Sequence, residues 1–406
     1  MTKHEFLSIM EYELGNLSPN LKGDIISDFR EHFDIALESG KREAEICALL
    51  GDPKEIAREF IVDYKNNKNE NSNTAYESAV ERREPAQSLI TRLNADNIKH
   101  VVIEAISGDI RLEGKNSNEI CVEFEGDYRD RFITEIHDNT YFLRERIHKQ
   151  YYDNFLSRIA RGFKNDIEIN IFAPCKFIGS IEAKTASGDV EIKDFTELEN
   201  LNLKTASGDI CGKNTASFGK LNFSTGSGDI ELKKCKGNQG IKISTGSGDI
   251  NSRDSEGEFR ASTGSGEIDV SSHTGTVTGS TGSGDINIIT DELSTNLNYS
   301  TGSGDINISC GKISGNIKMS TGSGSIEIKT KELYADITAK TGSGDIDAKI
   351  GRENDVKFIL KTGRHGEKNN EFTVLDAQRG GVYNRENAKY KVFLETHTGD
   401  IDVKAI

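Results

Sequence analysis

The sequence predicts a mainly β protein: a single-chain β-solenoid with rungs of about 20 residues, preceded by a small N-terminal α-helical bundle. The first observation is a six-residue phrase, most often TGSGDI, that occurs nine times between Thr185 and Ile346 at intervals of 18 or 20 residues. Such a repeat is typical of solenoids, in which each repeat is one supersecondary unit stacked on the next. The second observation is the alternation of apolar and polar residues on both sides of the phrase, which is typical of half-buried strands.

Within each repeat, one strand precedes the phrase and another follows it. Phe223 precedes the copy at Thr225 and Ile230 follows it, and their positions differ in parity. An unbroken strand would turn one of these apolar sets toward solvent. We therefore predict that the Gly-Ser-Gly segment bends the chain, because glycine reaches positive φ without steric cost. Rungs stacked about 4.8 Å apart then bury together what one rung cannot bury alone. The regular solenoid is predicted over residues 185–350.

Residues 1–65 carry apolar residues at helical spacing, which predicts four short helices. Ser18-Pro19 and Asp52-Pro53 each place an N-cap residue before a proline at the first helical position. The segments TKHEFLSIMEYEL, DIISDFREHFDIALESGK and LLGDPKEIAREF closely resemble the HAAS domain of bacterial signalling proteins, in order and in spacing. The resemblance implies an intracellular helical adaptor, of a kind fused to membrane or sensor modules and associated with PadR-like transcription regulators.

Residues 66–97 are polar and rich in asparagine, and are predicted to form a flexible linker. Residues 98–184 are predicted as an N-terminal β region and cap, with an early SGDI copy at Ser107. Residues 351–406 are predicted as irregular C-terminal rungs and a cap, because atypical terminal repeats close a solenoid. This succession resembles the putative-adhesin family of bacterial β-strand repeats, also grouped with the toastrack-like domains of envelope-stress systems. That family has no established catalytic residues, so the resemblance implies none here.

The segment 144–164 interrupts the alternation with interleaved basic and aromatic residues. One interpretation is an amphipathic segment that contacts an anionic membrane surface or an acidic partner. The other is an insertion that packs its aromatic face onto the open end of the solenoid. We favour the second interpretation because an uncovered end invites edge pairing. The residues that would make the membrane or partner contact are Phe155, Arg158, Arg161, Phe163 and Lys164.

The acidic residue of the phrase recurs once per rung and is the main candidate for ion binding. The weak candidates for Ca²⁺ are Asp229, Asp249, Asp285 and Asp305, since Ca²⁺ takes carboxylate ligands. The alternative is that each aspartate caps its turn by accepting backbone N–H groups. Ser325 occupies the same slot, which favours capping. We therefore predict no metal and no cofactor, and expect the threonines of the phrase to form a hydrogen-bonded structural ladder.

The net charge of −15 argues against nucleic acid as a partner, because phosphate binding needs a basic surface. The N-terminus lacks the features of a signal peptide, and no segment approaches the roughly 20 apolar residues that span a bilayer. The six cysteines form no CxxC pair, which favours reduced thiols. These observations predict a cytoplasmic protein, either free or peripheral at the inner membrane face.

Together these features predict a non-enzymatic bacterial scaffold, since the carboxylates belong to the repeat and not to one site. Residues 1–65 would engage a protein partner, such as a PadR-like regulator or a membrane signalling protein, and the rod would offer an interaction surface in cell-envelope stress signalling. The alternative is an adhesin-like surface binding protein. A calcium-binding β-repeat protein is the less favoured third hypothesis.

Overall fold

The structure of the protein is a computed structural model. It describes residues 1–16, 22–23, 25–26, 29–30, 33, 42–43, 46–47, 52–54, 56–58, 89–124, 132–145, 167–351, 355–363, 366–371 and 388–406.

The N-terminal unit begins with helix α1 (Lys3–Glu13), followed by a 3-10 turn at Leu14–Asn16. A capping box fixes its start: the Glu5 N–H donates to Thr2 Oγ1, and the Thr2 N–H donates to Glu5 Oε2. Phe6 packs against Phe33 with ring centroids 5.4 Å apart, within a buried cluster separate from that of the β region. The other three predicted helices fall largely outside the described residues.

In the described part of the chain, thirty strands and one further 3-10 turn (Ala95–Asn97) follow. The strands are β1 (Leu89–Asn94), β2 (His100–Glu104), β3 (Asp109–Lys115), β4 (Glu119–Phe124), β5 (Phe132–His137), β6 (Thr140–Glu145), β7 (Glu168–Pro174), β8 (Ser180–Lys184), β9 (Val190–Lys193), β10 (Asn200–Lys204), β11 (Ile210–Lys213), β12 (Ala216–Ser217), β13 (Leu221–Ser224), β14 (Ile230–Lys233), β15 (Lys236–Thr245), β16 (Ile250–Arg253), β17 (Glu256–Thr263), β18 (Ile268–Ser271), β19 (Val277–Thr281), β20 (Ile286–Leu293), β21 (Leu297–Thr301), β22 (Ile306–Ile313), β23 (Ile317–Thr321), β24 (Ile326–Leu333), β25 (Ile337–Ser343), β26 (Ile346–Ile350), β27 (Val356–Lys361), β28 (Lys368–Asn370), β29 (Tyr390–Thr398) and β30 (Ile401–Ala405).

The strands form two fifteen-stranded sheets, and the chain alternates between them. Sheet I runs β1-β4-β7-β3-β9-β11-β14-β16-β18-β20-β22-β24-β26-β30-β28. Sheet II runs β27-β29-β25-β23-β21-β19-β17-β15-β13-β10-β8-β2-β6-β5, with β12 paired to β15. Each copy of the phrase carries the chain from a sheet II strand to a sheet I strand, as from β13 to β14. These stacks of parallel strands confirm the predicted β-solenoid.

Register is set by stacking like on like along the rod. Ile230 pairs with Ile210 on one side and with Ile250 on the other, and all three side chains are buried. Alternate residues of most strands enter one continuous core between the sheets, as the period-2 pattern predicts. A one-residue slip of any rung would expose its whole apolar set, so the sequence specifies the register strongly.

The predicted reason for the corner glycines is wrong. No glycine in the nine regular copies has positive φ. A Cβ on Gly228 would instead lie 2.0 Å from the carbonyl oxygen of Gly208, and one on Gly248 would lie 1.9 Å from that of Gly228. Glycine is therefore required at the second glycine position of the phrase, because the corners of successive rungs stack too closely there for a side chain.

Left-handed backbone occurs at the opposite corner, where sheet I strands end. The five residues there are Asp194, Asn214, Lys234, Asp254 and Ser272, with φ between 47° and 64°. Asparagine and aspartate tolerate this conformation better than other non-glycine residues do. The sheet I strands β20, β22 and β24 instead run for eight residues each, and from β20 onward the left-handed residue no longer occurs in the described rungs.

The predicted linker 66–97 is wrong in its last third. Strand β1 pairs antiparallel with β4, which places Thr91 opposite Val122. The pairing satisfies the backbone groups of β4, and β1 becomes the terminal strand of sheet I. Residues 66–88 lie outside the described part of the chain. The first two residues of the predicted insertion 144–164 belong to β6, and its remainder lies outside the described residues.

Candidate functional site

The most regular polar feature of the rod is a column of aspartates where each phrase enters sheet I. Asp229 Oδ1 accepts the backbone N–H of Asp249 at 2.8 Å, and Asp285 Oδ1 accepts that of Asp305 at 2.7 Å. Each bond joins one rung to the next. We call this set the aspartate ladder; it consists of Asp109, Asp189, Asp209, Asp229, Asp249, Asp285, Asp305, Asp345 and Asp400.

The ladder explains how like charges tolerate stacking. Unit charges one rung apart, about 4.8 Å, repel by on the order of 1 kcal/mol in water. A hydrogen bond from an N–H group to a charged acceptor contributes about 1.5–3 kcal/mol. The hydrogen bonds can therefore outweigh the repulsion. The predicted capping role is thus observed, although the capped N–H belongs to the following rung and not to the aspartate's own turn.

Two rungs depart from the ladder. Ser325 accepts the Asp345 N–H through Oγ at 3.3 Å, a longer bond than the carboxylates make. Glu267 accepts no hydrogen bond from the Asp285 N–H in the described structure, and its side chain is one methylene longer than that of aspartate. Partial burial, and then the charges of the neighbouring aspartates, raise the pKa of Glu267. Position 267 is therefore the weakest point of the column.

A second column, of threonines, locks the same corner from inside. Thr225 Oγ1 donates to the carbonyl oxygen of Gly208 at 2.8 Å and accepts the N–H of Gly228 at 3.1 Å. The predicted threonine ladder is confirmed, with glycine carbonyls as its acceptors. The same donor bond is made by Thr185, Thr205, Thr245, Thr263, Thr281, Thr301, Thr321, Thr341 and Thr396.

The weak calcium candidates Asp229, Asp249, Asp285 and Asp305 are all members of the aspartate ladder. Each uses Oδ1 to cap the next rung. In the part of the chain that the structure describes, no three His, Cys, Asp or Glu side chains come together as a metal site. This arrangement favours the capping role over Ca²⁺ ligation.

The outward face of sheet I is a second candidate surface, because its charge pattern changes midway. Toward one end, acidic and basic side chains pair across rungs, as between Lys213 Nζ and Glu191 Oε1 at 3.8 Å. In the middle rungs the acids give way to an amide row. Asn287 Nδ2 donates to Asp269 Oδ1 at 2.8 Å, and Asn307 Nδ2 donates to Asn287 Oδ1 at 2.9 Å. This row lines a groove of about 990 Å³.

Nucleophilic chemistry is not favoured by the environments of the cysteines. All six are free thiols. Burial raises the pKa of Cys235 to about 12 and that of Cys310 to about 11, so both stay protonated at neutral pH. His273 is buried, and its Nε2 forms a hydrogen bond with Gly257 O at 2.9 Å. Burial lowers the pKa of the His273 ring.

The predicted contact residues Phe155, Arg158, Arg161, Phe163 and Lys164 lie outside the described residues. Among the helices that the structure describes, none combines the length and apolarity needed to cross a membrane. The sequence interpretation also missed the left-handed column at the second corner. Its signal was the recurrence of Asp or Asn at positions 194, 214 and 254, at multiples of the 20-residue period.

Comparison with known families finds two matches. The model of the Toastrack DUF4097 family matches residues 98–312 and 300–404. The HAAS model matches residues 5–59. The two matches fall on the β region and on the N-terminal helical unit, respectively. A search of curated proteins finds no match.

Three solved structures are similar at low identity. A putative cell adhesion protein from Clostridium sporogenes is 10% identical with a TM-score of 0.22, and the match covers 79% of this chain and 99% of that one. A putative adhesin from Bacteroides fragilis is 13% identical with a TM-score of 0.26, covering 79% and 98%. A putative lipid binding protein from Parabacteroides distasonis is 15% identical with a TM-score of 0.29, covering 77% and 96%. These scores are too low to support an inference.

Proposed function

Because this chain belongs to the Toastrack DUF4097 family over residues 98–404 and carries a HAAS domain at residues 5–59, we propose that it is a non-enzymatic bacterial scaffold. In this proposal the helical unit engages a protein partner and the rod presents a rigid surface. The process would be cell-envelope stress signalling, with a PadR-like regulator or a membrane signalling protein as the partner. The place of action would be the cytoplasm or the inner face of the membrane.

The observation that carries the proposal is the separation of two hydrophobic cores. Phe6, Met10, Phe29 and Phe33 belong to one buried cluster, and the residues between the two sheets form another. A unit with its own core can act as an independent interaction module. The HAAS match covers the first unit, which supports a partner there.

The polar chemistry of the rod supports a structural role. The carboxylates of the aspartate ladder and the hydroxyls of the threonine ladder are engaged in bonds between rungs. A catalytic acid or base needs a pKa matched to its task and a substrate within reach. The ladders repeat the same bond along the rod and single out no one position for chemistry. The free cysteines support a reducing compartment, where disulfides are rare.

Cross-linking in living cells tests the proposal. The full chain would carry a photo-reactive amino acid at Tyr12, whose side chain is 83% exposed on α1. A matched chain would carry it at Phe218, which is 53% exposed on the rod. We expect one defined protein adduct from position 12 that position 218 does not give. No adduct specific to position 12 would contradict a partner for the helical unit.

A further inference from the structure

A hollow at the edge of the rod differs chemically from every feature described above. It lies where the chain leaves β20, β22 and β24 for sheet II, and its volume is about 510 Å³. In two successive rungs Ser294 and Ser314 occupy the first position after the sheet I strand, and in the next rung Tyr334 occupies it. The stacking is fixed by backbone bonds: the Ser314 N–H donates to Leu293 O, and the Tyr334 N–H donates to Ile313 O. The small side chains of Ser294 and Ser314 therefore form the floor of the hollow, and the larger ring of Tyr334 lies beside them.

The wall of the hollow is aromatic. Tyr334 is 48% exposed, and its ring meets that of Tyr390 edge to face, with centroids 6.5 Å apart and an interplanar angle of 84°. Lys312 Nζ lies 5.9 Å from the Tyr334 centroid, and Lys389 Nζ lies 5.2 Å from that of Tyr390. An exposed aromatic ring beside a concavity is a candidate ligand contact. The two lysine contacts favour the observed positions of the rings.

The floor is small for a steric reason. A Cβ on Gly315 would lie 2.0 Å from the carbonyl oxygen of Thr295, so this position accepts only glycine. The hollow is therefore a fixed feature of the rung stack. A rigid floor lowers the ordering cost of binding.

The rim of the hollow is a preorganised row of amides ending in a carboxylate. Asn296 Oδ1 accepts the Asn316 N–H at 3.2 Å, and Asn316 Oδ1 accepts the Asp336 N–H at 2.9 Å. Asp336 Oδ1 in turn accepts the Lys391 N–H at 2.8 Å. Within the described structure the Nδ2 groups of both asparagines donate to no protein acceptor, so they can donate to a ligand.

Charge in the hollow is balanced. Lys312 Nζ pairs with Glu292 Oε1 at 3.0 Å, and Lys389 stands with Asp336 on the lining. The balance favours neither a strongly anionic nor a strongly cationic ligand. An aromatic wall, amide donors and a carboxylate acceptor together suit a ligand with an apolar face and many hydroxyls.

We propose that this hollow binds carbohydrate, taking a neutral sugar residue of a glycan with its ring against Tyr334 and its hydroxyls on Asn296, Asn316 and Asp336. The proposal is independent of the partner of the helical unit. It gives the rod a ligand of its own.

Saturation-transfer NMR on the full chain tests the proposal with three neutral probes: maltotriose, cellotriose and triacetylchitotriose. Trigalacturonate is the anionic comparison. We expect saturation transfer to at least one neutral probe at millimolar concentration. Tyr334→Ser, which installs the serine of the two preceding rungs, should weaken that binding by roughly tenfold or more. Phe218→Ser removes an exposed aromatic residue elsewhere and should leave binding unchanged.

A second measurement avoids any dependence on the variant's folding. In the unmodified protein labelled at tyrosine, the bound probe should shift the Tyr334 and Tyr390 ring signals most. Failure of all three neutral probes, binding of trigalacturonate alone, or equal binding by Tyr334→Ser would overturn the proposal. Shifts confined to other tyrosines would overturn it as well.

Discussion

Asp229 and Asp249 are joined across two rungs by a bond from the Asp249 N–H to Asp229 Oδ1 at 2.8 Å. The same relationship, repeated along the rod, turns an acidic column into a source of stability. The stability of the rod should therefore depend on which oxygen acceptor each rung provides, and this dependence can be measured.

Removing one acceptor from the aspartate ladder should destabilise the rod. We expect Asp229→Ala to lower the free energy of unfolding by about 1 kcal/mol, the usual cost of losing a capping acceptor. Asp229→Asn keeps an acceptor oxygen and should lose less. Chemical denaturation followed by circular dichroism measures both. Asp291→Ala is the control outside the ladder and should change little; equal losses at positions 229 and 291 would refute the role of the bond.

Restoring the ladder at its weakest point should stabilise the rod. Glu267→Asp shortens the side chain and should let the carboxylate accept the Asp285 N–H, as Asp285 does for Asp305. We expect a gain of about 0.5–1 kcal/mol in the free energy of unfolding. Glu267→Gln keeps the length and should not give this gain. A Glu267→Asp protein no more stable than the original would contradict the account.

Relieving the left-handed backbone at Lys234 should also stabilise the rod. Lys234 has φ 54°, and the equivalent corner residues of the adjacent rungs are Asn214 and Asp254. Because asparagine tolerates this conformation better, Lys234→Asn should raise the free energy of unfolding by about 0.5–1 kcal/mol. The neighbouring Lys233→Asn lies in β14 and should be neutral or destabilising. The denaturation midpoints of the two variants measure this difference. A loss of stability in Lys234→Asn equal to that in Lys233→Asn would contradict backbone strain at Lys234.

Acid should destabilise the protein through His273. Its ring is buried against Phe259, with centroids 5.4 Å apart, and Nδ1 has no hydrogen-bond partner among the described residues. Burial lowers its pKa, so below the unfolded value of about 6.5 the unfolded chain takes up a proton that the folded chain resists. Stability is therefore lost as pH falls from about 6.5 toward the lowered pKa.

His273→Ser isolates this effect, because Ser255 fills the equivalent slot one rung earlier. Serine takes up no proton in this pH range. The variant should therefore lose less stability than the original protein when the pH falls from neutral to acidic. Thermal unfolding at pH values above and below about 6.5 measures the shift. Parallel stability curves for the two proteins would exclude His273 as the source.

The β-solenoid was predictable because the repeat and the period-2 alternation both report the same packing. The threonine ladder followed from its regular inward position. The antiparallel strand β1 was not predictable, because no repeat pattern in its sequence indicates that it pairs with β4. The steric reason for the corner glycines could not be predicted either, because the distance between Gly228 and the rung next to it is known only once the rungs are stacked.

The aromatic hollow was unpredictable for a different reason. Tyr334 and Tyr390 meet only because β29 stacks on β25, with Val392 beside Ile337, after a long excursion of the chain. The repeat period predicts contacts between residues about 20 positions apart. It does not predict the pairing of β29 with β25, whose residues lie much further apart in the chain.

Protease shaving of intact cells, followed by fractionation, tests whether this scaffold acts inside the cell. We expect the rod to stay uncut until the cells are lysed, and the protein to be recovered in the cytosol or on the inner face of the membrane. Cleavage of the rod from outside intact cells would contradict the account and would support the adhesin-like alternative.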